Sequence, residues 1–345
     1  MNNGYDQRAR ELHKQYPVVD AHLDLPAELY YRKIAGEKDI IKNRYMKHWR
    51  EGGFRFIVCS VFLENEILPE FGLTRALEQI EFFLDEIKES RDDLLLVLQK
   101  EDIAKVLTSK KIGMILYMEG LDCIGERTHL LDIFYKLGVR GAALTWSRRN
   151  QCASGCCKAT RLQNIPGGIT DFGLIIIKKM EALGMFLDVS HLNDDGFEDV
   201  LNNAQKPFMA SHSNSRDIYY SYRNLTVTQM LALQSRGGVM GLNANKYIVG
   251  AYKEKDENVF LKMCQHIEYA VKVMGDSHVG FGFDLCDSYM AARPRLHFME
   301  EQEDCLKNHE ESILVTALLL ERGMAEASVI KIIGGNFVKF FKKVL

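Results

Sequence analysis

Five short apolar runs of this chain each end on a residue type that binds metal, and this coincidence constrains the fold more tightly than any single motif. Asp20-Ala21-His22-Leu23-Asp24 follows residues 16–19, Glu119 follows 112–118, His191 follows 185–190, His212 follows 207–211, and Asp284 follows 278–283. Side chains two apart on a strand share a face, so His22 and Asp24 are expected to reach one ion. The other rungs are far apart in sequence and converge only if their strands stand side by side in a sheet closed on itself. A (β/α)8 TIM barrel does this and collects its sites at the C-terminal strand ends. The ladder therefore predicts an α/β fold, a (β/α)8 TIM barrel with one shared metal site at its mouth.

Eight strands are expected, near residues 18–23, 54–62, 113–118, 141–145, 185–189, 208–211, 238–242 and 279–283, with the apolar run 94–98 left outside the barrel. Helical periodicity is strongest over 73–90, 172–183, 194–203, 226–235, 258–274 and 310–322. Thr226 followed by Gln229 reads as a capping box, and Gly184 as a helix stop. Residues 30–51 show no assignable helix and 287–304 read as loop; both follow barrel strands and are placed to roof the site. At 345 residues and 47% hydrophobic the chain can bury a large core, and we read 1–345 as one barrel domain with loop insertions.

A net charge of −3 offers no basic footprint for nucleic acid and no polybasic membrane patch, so a small-molecule partner is expected. The polar first 16 residues lack the apolar core of a signal peptide, and no apolar run is long enough to span a bilayer. Eight scattered cysteines in such a chain read as reduced thiols, and the expected location is cytoplasmic. Cys152, Cys156 and Cys157 cluster, but no second pair stands at zinc-ribbon spacing. Gly280-Phe281-Gly282 lacks the third glycine of a dinucleotide site.

Imidazole and carboxylate ligands suit zinc. His22, Asp24, Glu119, His191 and His212 are too many for one catalytic zinc but suit two sharing a carboxylate, with Glu119 as the bridge. Two such ions make hydroxide available near neutral pH and polarise a carbonyl, which points to hydrolysis. Asp284 would take the proton from the attacking hydroxide and return it to the leaving amine. Any one of these residues alone would more often be a surface charge, a cap or a core histidine. Their common place at strand ends separates them from His13, His48, His129, His266, His278, His297 and His309. Asp20 and Asp188 are expected to orient ligands without touching metal.

Taken together, Asp20-Ala-His-Leu-Asp-Leu-Pro26, Met118-Glu-Gly120, Gly184-Met-Phe-Leu-Asp-Val-Ser-His191, Ser211-His-Ser213, Arg223-Asn224, Gly280-Phe-Gly-Phe-Asp284 and Gly334-Gly335-Asn336 resemble the renal or membrane dipeptidase family of binuclear zinc peptidases, from about Val18 to the C-terminus. The resemblance implies one zinc on His22, Asp24 and Glu119, a second on Glu119, His191 and His212, and Asp284 as proton shuttle. It also assigns Arg223 to the free carboxylate of a dipeptide and implies a homodimer. Where many members carry a His that holds the scissile carbonyl oxygen, this chain reads Leu144-Thr145-Trp146. Trp146 then faces substrate with only an N–H to offer; either zinc alone stabilises the oxyanion, or Arg148, Arg149 or Asn150 substitutes. Asn243-Ala244-Asn245 also departs from the aromatic run expected there.

The expected function is a zinc-dependent dipeptidase that uses a metal-bridging hydroxide on dipeptides with a free C-terminal carboxylate, a D-residue at that end included. Two alternatives stand beside it: an amidohydrolase-type enzyme for another amide, a lactone or an N-acyl amino acid, and a metal-binding barrel without catalysis.

Overall fold

The computed structural model describes residues 3–156, 167–251, 258–294 and 303–345. Its strands are β1 (Val18–Leu23), β2 (Phe54–Phe62), β3 (Leu94–Leu96), β4 (Ile112–Glu119), β5 (Val139–Ala143), β6 (Phe186–Asp188), β7 (Met240–Leu242) and β8 (Val279–Phe281). The order β1-β2-β4-β5-β6 is parallel throughout, and β7 pairs parallel with β8. Residues 208–211 supply the missing rung through parallel bridges from Asp188 to Met209 and from Ala210 to Met240. The Asp284 N–H donates to the His22 carbonyl (3.2 Å), which closes the ring. Eight parallel positions alternating with helices make a (β/α)8 barrel. Its register is level at the top: Phe62 lies opposite Glu119, Glu119 opposite Ala143, and Ala143 opposite Asp188.

Period-two reasoning fails at one place that matters. β1 slips register between Asp20 and Leu23, and Asp24 is already the residue before the helix Leu25–Ile34, with ψ of 39°. Its carboxylate makes no capping hydrogen bond, so it is free to turn toward the barrel mouth. Residues 30–51, which carry no readable periodicity, hold the end of that helix and two short ones, Ile40–Arg44 and Met46–Glu51. Their helicity comes from packing: Ile40, Ile41 and Trp49 are buried, and the Ile41 N–H donates to Glu86. Asp287–Ala292 is helical rather than loop; residues 295–302, His297 among them, lie outside the described residues. β3 stands off the ring, as expected of 94–98, yet it pairs with the lower half of β4 below β5. The Thr226–Gln229 capping box and the left-handed Gly184 are present.

Buried residues from β1, β2, β4, β5, β6 and the 208–211 rung form one cluster, including Val19, Ala21, Phe56, Val58, Ile115, Tyr117, Phe186 and Met209. Phe337, Phe340 and Phe341 of the C-terminal helix Asn336–Val344 close it at the lower end. A larger cluster packs the helices around the ring. No helix among the described residues is long and apolar enough to cross a membrane. No disulfide joins the described cysteines; Cys157 lies outside them.

Two buried histidines outside the barrel mouth are locked neutral by their partners. His266 Nδ1 accepts from the Ser215 N–H (3.2 Å), so Nε2 donates to the Val249 carbonyl (3.0 Å). His13 Nδ1 donates to the Gly52 carbonyl (2.8 Å) and Nε2 accepts from Thr316 (2.8 Å). Burial pushes both down to about 4. The unfolded chain therefore takes up protons first, and stability falls as pH drops from about 6.5 toward 4, by roughly 3 kcal/mol for each group. Urea midpoints measured at pH 7.5 and 5 check this, and a His266→Gln variant is expected to lose part of the slope.

Candidate metal centre

The structure brings His22, Asp24, Glu119, His191 and His212 to one point at the barrel mouth. Glu119 Oε1 is the hub, 2.7 Å from His191 Nε2, 3.2 Å from His212 Nε2 and 3.6 Å from His22 Nε2. His22 Nε2 is also 3.5 Å from Asp24 Oδ1 and 3.9 Å from Asp284 Oδ1. The ligand atoms of His22, Asp24 and Glu119 lie within 4.8 Å of one another, and so do those of Glu119, His191 and His212. Two triads thus share one carboxylate.

Three features show that this donor set fits cations. His22 Nε2 and Asp24 Oδ1 are buried with no hydrogen-bond partner, a costly arrangement for polar atoms unless something else satisfies them. His191 Nε2 and His212 Nε2 face each other at 2.8 Å, each toward Glu119. The charge balance is the third. Burial pushes Asp24 up to about 7 and Asp284 up to about 6, with Glu119 adding to both. Burial opposes charge on His22 too, but Glu119 and Asp24 outweigh it and hold the imidazole well above its ordinary value. The buried carboxylates of Asp24 and Glu119 and the partly exposed one of Asp284 surround His22 and call for positive charge, which a bound cation would supply. Burial and Arg223 meanwhile push His191 down to about 4, and burial and His22 lower His212, which keeps both lone pairs available.

The neighbours of these rings fix their tautomers. Ser211 Oγ donates to Asp188 Oδ2, so it must accept from His212 Nδ1–H (2.6 Å), which leaves Nε2 bare toward Glu119. Ser147 Oγ lies 2.8 Å from His191 Nδ1 and can accept its proton in the same way, its other partner being the Cys156 thiol (3.6 Å). Asp188, expected to orient ligands, does so through Ser211 and is itself held by Tyr117 (2.7 Å) and Ser190 (2.7 Å). Asp20 ties β1 to the last rung: Oδ1 accepts from the Phe283 N–H (2.8 Å), and Oδ2 meets the buried His309 (2.9 Å). Glycines make room around Ser211, because a Cβ at Gly241 or Gly282 would come within 2.0 or 1.7 Å of its carbonyl oxygen.

Asp284 sits in the left-handed region at φ 57°. Asn243 Nδ2 donates to its Oδ2 (2.9 Å) and the Cys286 thiol lies 3.4 Å from its Oδ1. Arg223 reaches the site from behind: Nη1 donates to the Ser190 carbonyl and Ser213 Oγ, and Nη2 to the His212 carbonyl (2.8 Å). Of five N–H groups, Nε–H and one on Nη2 have no partner among the described residues, and together they form a side-on fork. Arg223, Asp284, Trp146, Asp24, Glu119 and His191 all line a cavity of about 350 Å³.

Trp146 stacks obliquely near His191 and Phe62, with ring centroids 5.8 and 5.4 Å away. Its neighbours are otherwise engaged. Arg148 is spent on Asp122, Asn65 and the Leu63 carbonyl, Arg149 on Ser154 and Asn150 on the Leu144 carbonyl, and none of the three lines the cavity. Sequence reasoning gave no role to Ser147, Ser211, Asn243 or Cys286, although Ser211 and Asn243 stand in stretches it quoted. Adjacency to Trp146, His212 and the seventh and eighth strand ends was the only signal available for them.

Residues 6–345 match the model of a family described as membrane dipeptidase, peptidase family M19. A protein of Klebsiella pneumoniae, described as uncharacterized in the pqqA 5′ region, is 32% identical over 209 residues, 60% of this chain and 77% of its own length. An uncharacterized dipeptidase of Schizosaccharomyces pombe is 27% identical over 301 residues, 81% of this chain and 71% of its own. A metallo peptidase of Rhodobacter sphaeroides, solved with a phosphinate mimic of the dipeptide L-Ala-D-Ala, superposes with a TM-score of 0.83 at 21% identity, covering 96% of this chain and 99% of that one.

Proposed function

Because the chain belongs to the membrane dipeptidase family, peptidase family M19, and so is a metal-dependent dipeptidase, we propose that it cleaves dipeptides with a free C-terminal carboxylate at a pair of zinc ions. The observation that carries this reading is the single Glu119 oxygen shared by His22 on one side and by His191 and His212 on the other. His22, Asp24 and Glu119 would hold one ion and Glu119, His191 and His212 the other; bound there, zinc supplies Lewis acidity and an acidified water.

The chain's own residues supply the rest. Ser147 and Ser211 keep the Nδ1 protons of His191 and His212 occupied, so the ring edges facing Glu119 stay aprotic. Asn243 occupies Oδ2 of Asp284, while Oδ1, on the His22 side and met only by the weakly donating Cys286 thiol among the described residues, takes a proton from the attacking water and passes it to the leaving amine. The free fork of Arg223 grips the substrate carboxylate with two parallel hydrogen bonds. Trp146 and Phe62 wall the cavity with apolar surface that shields the reacting carbonyl from bulk water. The ligand of the Rhodobacter protein supports a D-residue at the C-terminal side.

Replacing Arg223 with Met is expected to raise KM for dipeptides by roughly 10–100-fold with a smaller change in kcat, since the lost charge-assisted bonds act before and during reaction alike. Initial rates on one good dipeptide check it, and an unchanged KM removes Arg223 from the carboxylate site. The reading as a whole is tested by hydrolysis of an L-L, L-D and D-L dipeptide panel by the zinc-loaded protein. Absence of cleavage across the panel, with two zincs bound, would turn attention to the second reading, another amide or a lactone. That reading rests on Trp146 standing where a hydrogen-bonding imidazole is expected.

A further inference from the structure

At the opposite end of the barrel from the metal centre, the starts of β1, β2 and β4 border a cavity of about 290 Å³. Lys14, Arg50, Arg55 and Lys110 line it, and none of the described residues in its wall is acidic. On a chain of net charge −3 this is a local reversal of sign. Arg50 has a counter-ion in Asp93. Among the described residues Arg55 has none: its guanidinium donates to the carbonyls of Val106, Ser109 (2.7 Å) and Lys111 (3.3 Å), and its buried Nε meets no partner there. Burial and the nearby Arg50 both press the Arg55 guanidinium below its ordinary value. The three carbonyls explain an arginine at the end of the helix Lys100–Thr108. They do not explain the convergence of further cations on one hollow.

We propose that this cavity binds a small phosphate-bearing molecule, with the phosphate set between Arg55, Lys14 and Lys110. Guanidinium and ammonium groups are the side chains that recognise phosphate, and a doubly charged anion would relieve the crowding of like charge around Arg55. The volume exceeds that of a phosphate group alone, and the partly exposed Leu107 and Tyr16 in the wall would take an organic part. Placed at the strand starts, such a ligand would stabilise the folded barrel without competing with a peptide at the strand ends.

Calorimetric titration of the zinc-loaded protein at low ionic strength, first with inorganic phosphate and then with glycerol 3-phosphate, tests this. One site per chain is expected, together with a raised thermal midpoint. A Lys14→Met/Lys110→Met double variant is expected to weaken binding by at least about tenfold and to leave dipeptide hydrolysis unchanged. Both lysines are exposed, so this variant should fold, whereas Arg55→Met also removes a helix cap. Unchanged affinity in the double variant, or displacement of the phosphate by a dipeptide mimic, would place the anion at the metal centre and overturn the proposal. No binding of either probe would overturn it as well. Sedimentation of the protein with phosphatidic acid vesicles, without binding of glycerol 3-phosphate, would assign the cavity to a membrane instead.

Discussion

Asp284→Asn is expected to lower kcat by roughly 10²–10⁴-fold, the usual worth of a positioned general acid–base, with KM nearly unchanged. The substitution is clean for reasons specific to this site. Asp284 occupies left-handed backbone at φ 57°, which Asn adopts as readily as any non-glycine residue. The remaining carbonyl oxygen of Asn can still accept from Asn243, which donates to Oδ2 at 2.9 Å in the native protein. What disappears is the oxygen that can carry a proton. Zinc content measured by atomic absorption should stay at two per chain, because Asp284 stands 3.9 Å from the nearest ligand nitrogen, outside both triads. Full turnover in this variant would remove Asp284 from the proton path. Loss of zinc together with activity would make it a ligand instead.

Glu119→Gln should show the opposite pattern. It keeps the shape but replaces a charged, doubly shared oxygen by an amide, so both triads lose their common member. Zinc content is expected to fall below two per chain and activity to fall to background. The metal-free protein should tolerate the change, since the Glu119 charge is one of the causes that push Asp24 and Asp284 up. The discriminating measurement is the zinc-dependent rise in thermal midpoint. A ligand at about a thousand times its Kd stabilises by about 4 kcal/mol, so native protein and Asp284→Asn should both gain it while Glu119→Gln should gain little. Equal gains in all three would show that Glu119 is not shared by two ions.

Much of this was legible because strand ends are a local property. An apolar run that stops at a His, Asp or Glu can be read along the chain, and the barrel fold needs only several such runs in order. The helices 172–183, 194–203 and 226–235 were equally readable from period and caps. Residues 30–51 were not, because the two short helices there, Ile40–Arg44 and Met46–Glu51, owe their form to burial of Ile40, Ile41 and Trp49 rather than to any repeat of their own. The sixth rung, 208–211, was found from its apolar run although it holds its place through two isolated bridges.

The sequence by itself determined which donors the site could contain and that they would sit at one end of a barrel, since residue type and hydrophobic period are written in the order of the chain. Tertiary structure alone decided how those donors are aimed. Asp24 reaches His22 because β1 slips and ends early, not because of strand alternation. Arg223 keeps one fork free because two strand-end carbonyls claim the other. Ser147, Ser211 and Asn243 acquire roles only from partners 44, 23 and 41 residues away. Hydrogen-bond direction depends on register between strands to within an ångström, and no local pattern of residues encodes that distance.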